Sequence, residues 1–207
     1  MRRLLLALAA LLAAGPAGAQ ALDFAPAAIA GWAPHEFDGE TRYSLGEIEG
    51  APAVHSVCDD SASGLFLEQE IDLTRTPILE WRWRVAAAPA PGPSEKSKGG
   101  DDFPARVYAV REALLPWNTQ AINYVWAAAE PEGATWPNPF ASQAKMVVVR
   151  SGPPGGWVTE RRNLREDFLR LHGEDVTSID AIAIMSDCDN RGLSAEAWYG
   201  GLRFLPE

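Results

Sequence analysis

The chain has 207 residues, 47% of them hydrophobic, and its 28 acidic residues outnumber 18 basic ones to give a formal net charge of −10. This acidity argues against nucleic acid or an anionic lipid surface as a partner, because both require a basic patch. Residues 20–207 suit a single domain with a sizeable core, and no segment in them resembles a membrane span.

The first 19 residues predict a cleavable secretory signal peptide. Arg2 and Arg3 precede an apolar run at 4–14, which is followed by Gly and Pro and then by the small residues 17–19. Signal peptides have this order: a positively charged start, then an apolar stretch, then a cleavage site of small residues. The apolar run is too short to span a bilayer, since about 20 residues are needed. We therefore expect export to the periplasm or the medium.

Alternating apolar and polar residues predict many short strands after the signal. The clearest is 77–85, where one face carries Leu79, Trp81, Trp83 and Val85. Segments 103–110 and 121–126 alternate in the same way. Further strands are predicted at 42–48, 53–57, 64–71, 145–150, 156–162, 179–185 and 196–205.

Helical spacing of apolar residues occurs only at 164–172, which Gly173 ends. The segment 86–100 reads as a surface loop within one domain, because its Pro, Gly, Ser and Lys residues offer little to bury. Many strands, one short helix and no strand–helix alternation predict an all-β fold, an antiparallel, jelly-roll-like β-sandwich with one short helix.

Cys58 and Cys188 are the two cysteines of the chain. In an exported protein such a pair is a candidate disulfide. The alternative is two separate buried thiols, because the sequence does not give the distance between them.

Motifs spread over almost the whole mature chain carry a family resemblance. They are 61–65 (SASGL), 81–85 (WRWRV), 100–108 (GDDFPARVY), 123–126 (NYVW), 136–139 (WPNP), 157–162 (WVTERR), 185–190 (MSDCDN) and 198–204 (WYGGLRF). In these motifs the chain resembles a bacterial family of unknown function, number 3047. The resemblance implies an exported β-sandwich like the galactose-binding or jelly-roll modules, and no established activity.

Polar residues on the strand faces opposite the tryptophans form the first candidate site. Adjacent strands would gather these side chains into a floor for carboxylates, sulfates or hydroxyl-rich sugars; they are Arg82, Arg84, Arg106, Tyr108 and Asn123. Trp136 is the candidate stacking wall, since a flat indole covers a sugar face. The alternative is a solvated outer face whose arginines pair with local carboxylates such as Glu80.

Acidic residues form the second candidate site, a possible Ca²⁺ site. Oxygen ligands spaced one residue apart in loops can wrap a hard cation; the candidates are Asp101, Asp102, Asp187, Asp189 and Asn190. A disulfide between the cysteines would bring further aspartates beside them, and such like charges would need a cation or arginines. The alternative is turn chemistry, because Asp and Asn bond their own backbone in tight loops.

Catalytic motifs are absent from the sequence: His35, His55 and His172 fall in separate segments without a nucleophile motif. The leading hypothesis is an exported binding module for a small polar or glycan ligand. The runner-up is a carbohydrate-active hydrolase or lyase with Asp101 or Asp102 as base, and the third is a structural or assembly protein of the envelope. No cofactor other than Ca²⁺ is expected, and the sequence does not indicate an oligomeric state.

Overall fold

The computed structural model describes residues 20–88 and 90–207, and the predicted signal peptide at 1–19 lies outside them. Thirteen strands and two helices occur in the described part of the chain. The strands are β1 (Leu22–Phe24), β2 (Ala33–Asp38), β3 (Arg42–Ile48), β4 (Ala51–Asp59), β5 (Ala62–Asp72), β6 (Ile78–Ala87), β7 (Arg106–Arg111), β8 (Gln120–Ala127), β9 (Thr135–Pro137), β10 (Ala144–Ser151), β11 (Val158–Asn163), β12 (Ser178–Asp187) and β13 (Ser194–Leu205). The helices are α1 (Pro26–Ile29) and α2 (Leu164–His172).

The strands form two sheets. The first, sheet A, has the order β11-β6-β13-β4-β3, with β1 added on β13. The second, sheet B, has the order β2-β5-β12-β7-β8-β10-β9. Strands β8 and β10 run parallel, whereas the other described pairs are antiparallel. The predicted all-β sandwich is therefore confirmed, with one parallel pair that the alternation did not indicate.

The core lies between the sheets. From sheet A, Leu79, Trp81 and Trp83 of β6 point inward and are buried. From sheet B, the inward residues include Val107 of β7 and Tyr124 of β8. Because consecutive residues of a strand face opposite sides, the residues between these, such as Arg82 and Tyr108, lie on the outer faces. The predicted inward face of 77–85 is confirmed.

Helix α2 has the predicted bounds. The Asn163 side chain accepts a hydrogen bond from the Glu166 backbone N–H at its start, and Gly173 ends it with a φ of 76°. This left-handed backbone favours glycine. Phe168 is buried in the core.

Several short elements were not predicted from the alternation, namely β1, α1, β2 and β9. Strand β7 also begins at Arg106 and not at residue 103, because 101–105 form a loop. Phe103 therefore lies with Val125 of β8 and Met146 of β10 in a small cluster on the outer face of sheet B, and not in the main core.

A disulfide joins Cys58 on β4 to Cys188, which follows β12 directly. It connects sheet A to sheet B and closes a sequence separation of 130 residues. The predicted pairing is confirmed, and disulfides are typical of proteins that fold in oxidising compartments. Within 20–88 and 90–207, neither helix has the length and apolar character needed to cross a bilayer.

Candidate functional site

A cavity of about 400 Å³ opens on the outer face of sheet B. Its floor comes from the central strands: β7 contributes Arg106 and Tyr108, β8 contributes Asn123, and β12 contributes Met185 and Asp187. Their positions follow from strand register. Arg106 is opposite Met185 across the β7–β12 pair, and Tyr108 is opposite Asn123 across the β7–β8 pair.

The rim of the cavity comes from strand ends and loops. Phe37 and Asp38 stand at the end of edge strand β2, and Asn138 and Phe140 follow β9. Phe37 is 56% exposed and Phe140 is 57% exposed. Two exposed aromatic rings therefore flank a floor of polar side chains.

Arg106 is the centre of the floor and is only 2% exposed. Its guanidinium makes a bidentate pair with Asp187, in which Nε donates to Oδ1 at 2.8 Å and Nη2 donates to Oδ2. Nη2 also donates to the Asp101 carbonyl oxygen at 2.6 Å and lies 3.4 Å from the Asp101 carboxylate. Arg106 thus has its charge balanced from within the protein, and it is not available to an anionic ligand.

Burial is the largest single influence on the pKa of each residue in this group of charges. It raises the pKa of Asp187 to about 8, against the opposing effect of Arg106 and with a further contribution from the Asp101 charge. The pKa of Asp101 is also raised by burial, although Arg106 opposes this shift. Burial on its own lowers the pKa of Arg106, but the charges of Asp101 and Asp187 raise it well above its ordinary value.

The loop after β12 is held against the loop before β7 by Asp102. The Asp102 carboxylate accepts hydrogen bonds from the Asn190 backbone N–H and from Arg191 Nε, both at 3.0 Å. Because Cys188 lies in the same loop and is bonded to Cys58, the disulfide and Asp102 together fix this side of the cavity.

Three of the predicted floor residues meet in the cavity, namely Arg106, Tyr108 and Asn123. The prediction that Arg82 and Arg84 join them is wrong, because β6 belongs to sheet A and β7 to sheet B. The Arg82 guanidinium lies 4.2 Å from the centroid of the Trp157 ring, and Arg84 pairs with Glu49.

The prediction that Trp136 is an exposed stacking wall is also wrong. The indole is 8% exposed and packs in the cluster with Phe103, at 6.4 Å between ring centroids. Strand β9 pairs with β10 and places Trp136 opposite Met146, which turns the indole into this cluster. The exposed aromatic of that segment is Phe140, four residues further on.

The five residues of the predicted Ca²⁺ site do come close together, but arginines accompany them. Asp101 and Asp187 surround Arg106, and Asp102 pairs with Arg191. In the part of the chain that the structure describes, no group of three His, Cys, Asp or Glu residues is arranged to hold a metal ion. On the floor, the Arg106 guanidinium supplies the counter-charge that Asp101 and Asp187 need.

The sequence patterns did not predict four residues that line the cavity, namely Phe37, Asp38, Asn138 and Phe140. The segment WPNPF contained a signal for the last two, since a rigid Pro-rich turn next to an edge strand presents its side chains. Residues 33–38 mix apolar and polar side chains without a strict alternation, so nothing local marked Phe37.

The fold and the cavity together define a two-sheet β-sandwich with a cleft on one outer face, in which polar floor residues lie between exposed aromatic rings. A family model described as "Protein of unknown function (DUF3047)" matches residues 30–203. The chain belongs to this family. No curated protein matches the chain in sequence.

The solved structures to which the chain is similar include three enzymes that act on carbohydrates. They are the glycoside hydrolase domain of Endo-D from Streptococcus pneumoniae R6 (TM-score 0.41, 10% identity), endoglucanase 3 of family GH12 from Trichoderma harzianum (0.39, 8%) and the family 11 xylanase from Neocallimastix patriciarum (0.31, 10%). The matches cover 84%, 79% and 89% of this chain, and 21%, 84% and 96% of the respective others. At such scores nothing about the cavity follows from the likeness.

Proposed function

We propose that the protein is an exported binding module whose cavity on sheet B holds a polar, carbohydrate-like ligand. The observation that carries the proposal is the combination of a buried polar floor with two exposed phenylalanines at the rim. Sugars present hydroxyl groups at their edges and C–H groups on their faces. Polar side chains on the floor can form hydrogen bonds with the hydroxyl groups, and aromatic rings can pack on the C–H faces at low entropic cost.

The size and the charge of the cavity further restrict the class of ligand that fits. A volume of about 400 Å³ lies within the range of small-molecule sites. A carboxylate or sulfate ligand is disfavoured, because Arg106 is already bonded to Asp187 and Asp101. Neutral or basic hydroxyl-rich molecules fit the remaining groups better.

The hydrolase alternative is supported by one observation, the raised pKa of Asp187, because a general acid must hold its proton near neutral pH. The contacts weigh against it. Both oxygens of Asp187 are bonded to Arg106, and one also accepts from the Phe103 N–H at 3.0 Å. Asp102, a candidate base, is held by Arg191 and Asn190. These carboxylates organise the floor, so binding is the better-supported function.

A glycan array probed with the purified protein, followed by calorimetric titration of the best ligand, tests the proposal. Phe140→Ala should weaken binding about 3- to 10-fold, the value of one aromatic contact, with an unchanged melting temperature because the ring is exposed. Trp117→Ala is the matched control, since this exposed aromatic lies outside the cavity.

Equal weakening by Phe140→Ala and Trp117→Ala would contradict the assignment of the cavity. Release of reducing sugar from the bound glycan by the wild type, lost in Asp187→Asn, would favour the hydrolase. An array on which no glycan binds would refute the carbohydrate proposal itself.

A further inference from the structure

The cavity carries more negative than positive charge. Four carboxylates line it, those of Asp38, Asp101, Asp187 and Asp189, and among the described lining residues Arg106 alone is cationic. Arg106 is shared by Asp101 and Asp187 on the floor. The excess of carboxylates attracts a cation and repels an anion.

The uncompensated charge lies at one side of the rim. Within 20–88 and 90–207, neither Asp38 nor Asp189 forms an ion pair, whereas their neighbour Asp102 is paired with Arg191 at 3.0 Å. Burial, together with the charges of Asp102 and Asp38, raises the pKa of Asp189. The charges of Asp38 and Asp189 therefore repel each other, and a cation between them would relieve this repulsion.

Two buried acceptors on the floor provide an independent observation. Asp101 is 3% exposed and Asn123 is 1% exposed, and both line the cavity. The Oδ1 atom of each is buried and has no hydrogen-bond donor among the described residues. A buried acceptor without a donor is costly, so the floor favours a ligand that brings N–H or O–H groups.

We propose that the cavity selects ligands that carry an ammonium group, with Asp38 and Asp189 as its counter-ions. This inference rests on the proposed function, because it names the class of carbohydrate-like ligand, a glycan with free amino groups. An ammonium offers three N–H donors and a positive charge. Acetylation of that nitrogen removes the charge and leaves one N–H, which makes the acetylated glycan the matched control ligand.

Three β-1,4-linked tetrasaccharides, of glucosamine, N-acetylglucosamine and glucose, provide the test. They are titrated calorimetrically into the wild type at a pH where the amines are protonated. We expect the glucosamine tetrasaccharide to bind about tenfold more tightly than the other two, as for a charge-assisted contact. This preference should shrink as salt is added, because screening weakens an interaction at the rim.

The variant Asp38→Asn/Asp189→Asn should reduce the preference to below about threefold, because it weakens binding of the glucosamine tetrasaccharide more than binding of the glucose tetrasaccharide. Asp59→Asn/Asp60→Asn is the matched control, an acidic pair at the end of β4 that does not line the cavity. Melting curves of both variants verify that they fold.

The outcomes separate the inference from the proposed function. Equal or tighter binding of the neutral or acetylated sugar would overturn the ammonium selectivity and leave carbohydrate binding standing. Ca²⁺ that stabilises the protein and displaces the glucosamine tetrasaccharide would assign the rim carboxylates to a metal ion and overturn the selectivity. If none of the three tetrasaccharides binds and no glycan on the array binds, both the ammonium selectivity and the proposed carbohydrate binding are overturned.

Discussion

Replacing Arg106 with methionine removes the guanidinium from the cavity floor while keeping an unbranched side chain in its place. The substitution leaves Asp187 buried with the Phe103 N–H as its remaining donor. It also removes the donor to the Asp101 carbonyl oxygen and the charge next to the Asp101 carboxylate. Above the Asp187 pKa of about 8, where the variants are compared, two buried carboxylates then lack a counter-charge.

Breaking a buried ion pair from one side costs about 3–5 kcal/mol, because the other charge stays behind without compensation. For a protein of this size, each kcal/mol corresponds to about 2–4 °C, so the melting temperature should fall by about 6–20 °C. Arg203→Met is the matched control. It breaks the pair with Glu80 on the outer face of sheet A, where an exposed pair is worth less than about 1 kcal/mol.

Reversible urea unfolding, followed by tryptophan fluorescence, measures both variants. Adding Asp187→Leu to Arg106→Met should recover part of the lost free energy of unfolding, since one of the two stranded carboxylates is then gone. A loss below about 1 kcal/mol for Arg106→Met, equal to that of Arg203→Met, would refute the view that this ion pair is shielded from water.

Three further predictions concern the titration of Asp187, the disulfide and the packing around Gly64. The pKa of Asp187 is about 8 in the folded protein and about 3.9 in the unfolded chain, so the folded state holds an extra proton between these two pH values. The free energy of unfolding should therefore fall as the pH rises from about 4 to about 8. Asp187→Asn should flatten this slope, as measured by urea unfolding at a series of pH values. Cys58→Ala/Cys188→Ala opens a loop with a sequence separation of 130 and should cost up to about 5 kcal/mol in urea unfolding, whereas two reactive thiols in the native wild type would contradict the pairing. Gly64→Ala places a Cβ 2.7 Å from a carbonyl oxygen of β12 and should cost about 1–3 kcal/mol, while Gly155→Ala, which meets nothing within 4 Å, should melt like the wild type.

Local patterns were sufficient for most of the elements. The alternation in β6 identified its buried face, because the face that carries Trp81 and Trp83 has only apolar residues between 79 and 85. Strand β3 and helix α2 have the predicted bounds, since turn residues and the cap at Gly173 mark their ends. Strand β9 was missed because three residues are too few to show a period.

The pairing of strands could not be predicted from these patterns, and the site depended on it. Alternation gives the face of a strand but not the sheet to which it belongs. Strands β6 and β7 follow each other in sequence with similar outward residues, yet residues 88–105 carry the chain from one sheet to the other. Arg82 therefore lies on the opposite side of the sandwich from Arg106. The rim residue Phe37 belongs to an edge strand whose position is set by long-range pairing with β5.

Strand β13 follows all the other strands along the chain, yet it lies in the interior of its sheet, between β6 and β4. It also holds β1, from the beginning of the described chain, through pairing at Leu22–Phe204. Sheet A cannot close until residues 194–205 have been synthesised, because β6, β4 and β1 all pair with β13. A product truncated before Ser194 would leave these three strands without their shared partner and exposed to aggregation and proteolysis.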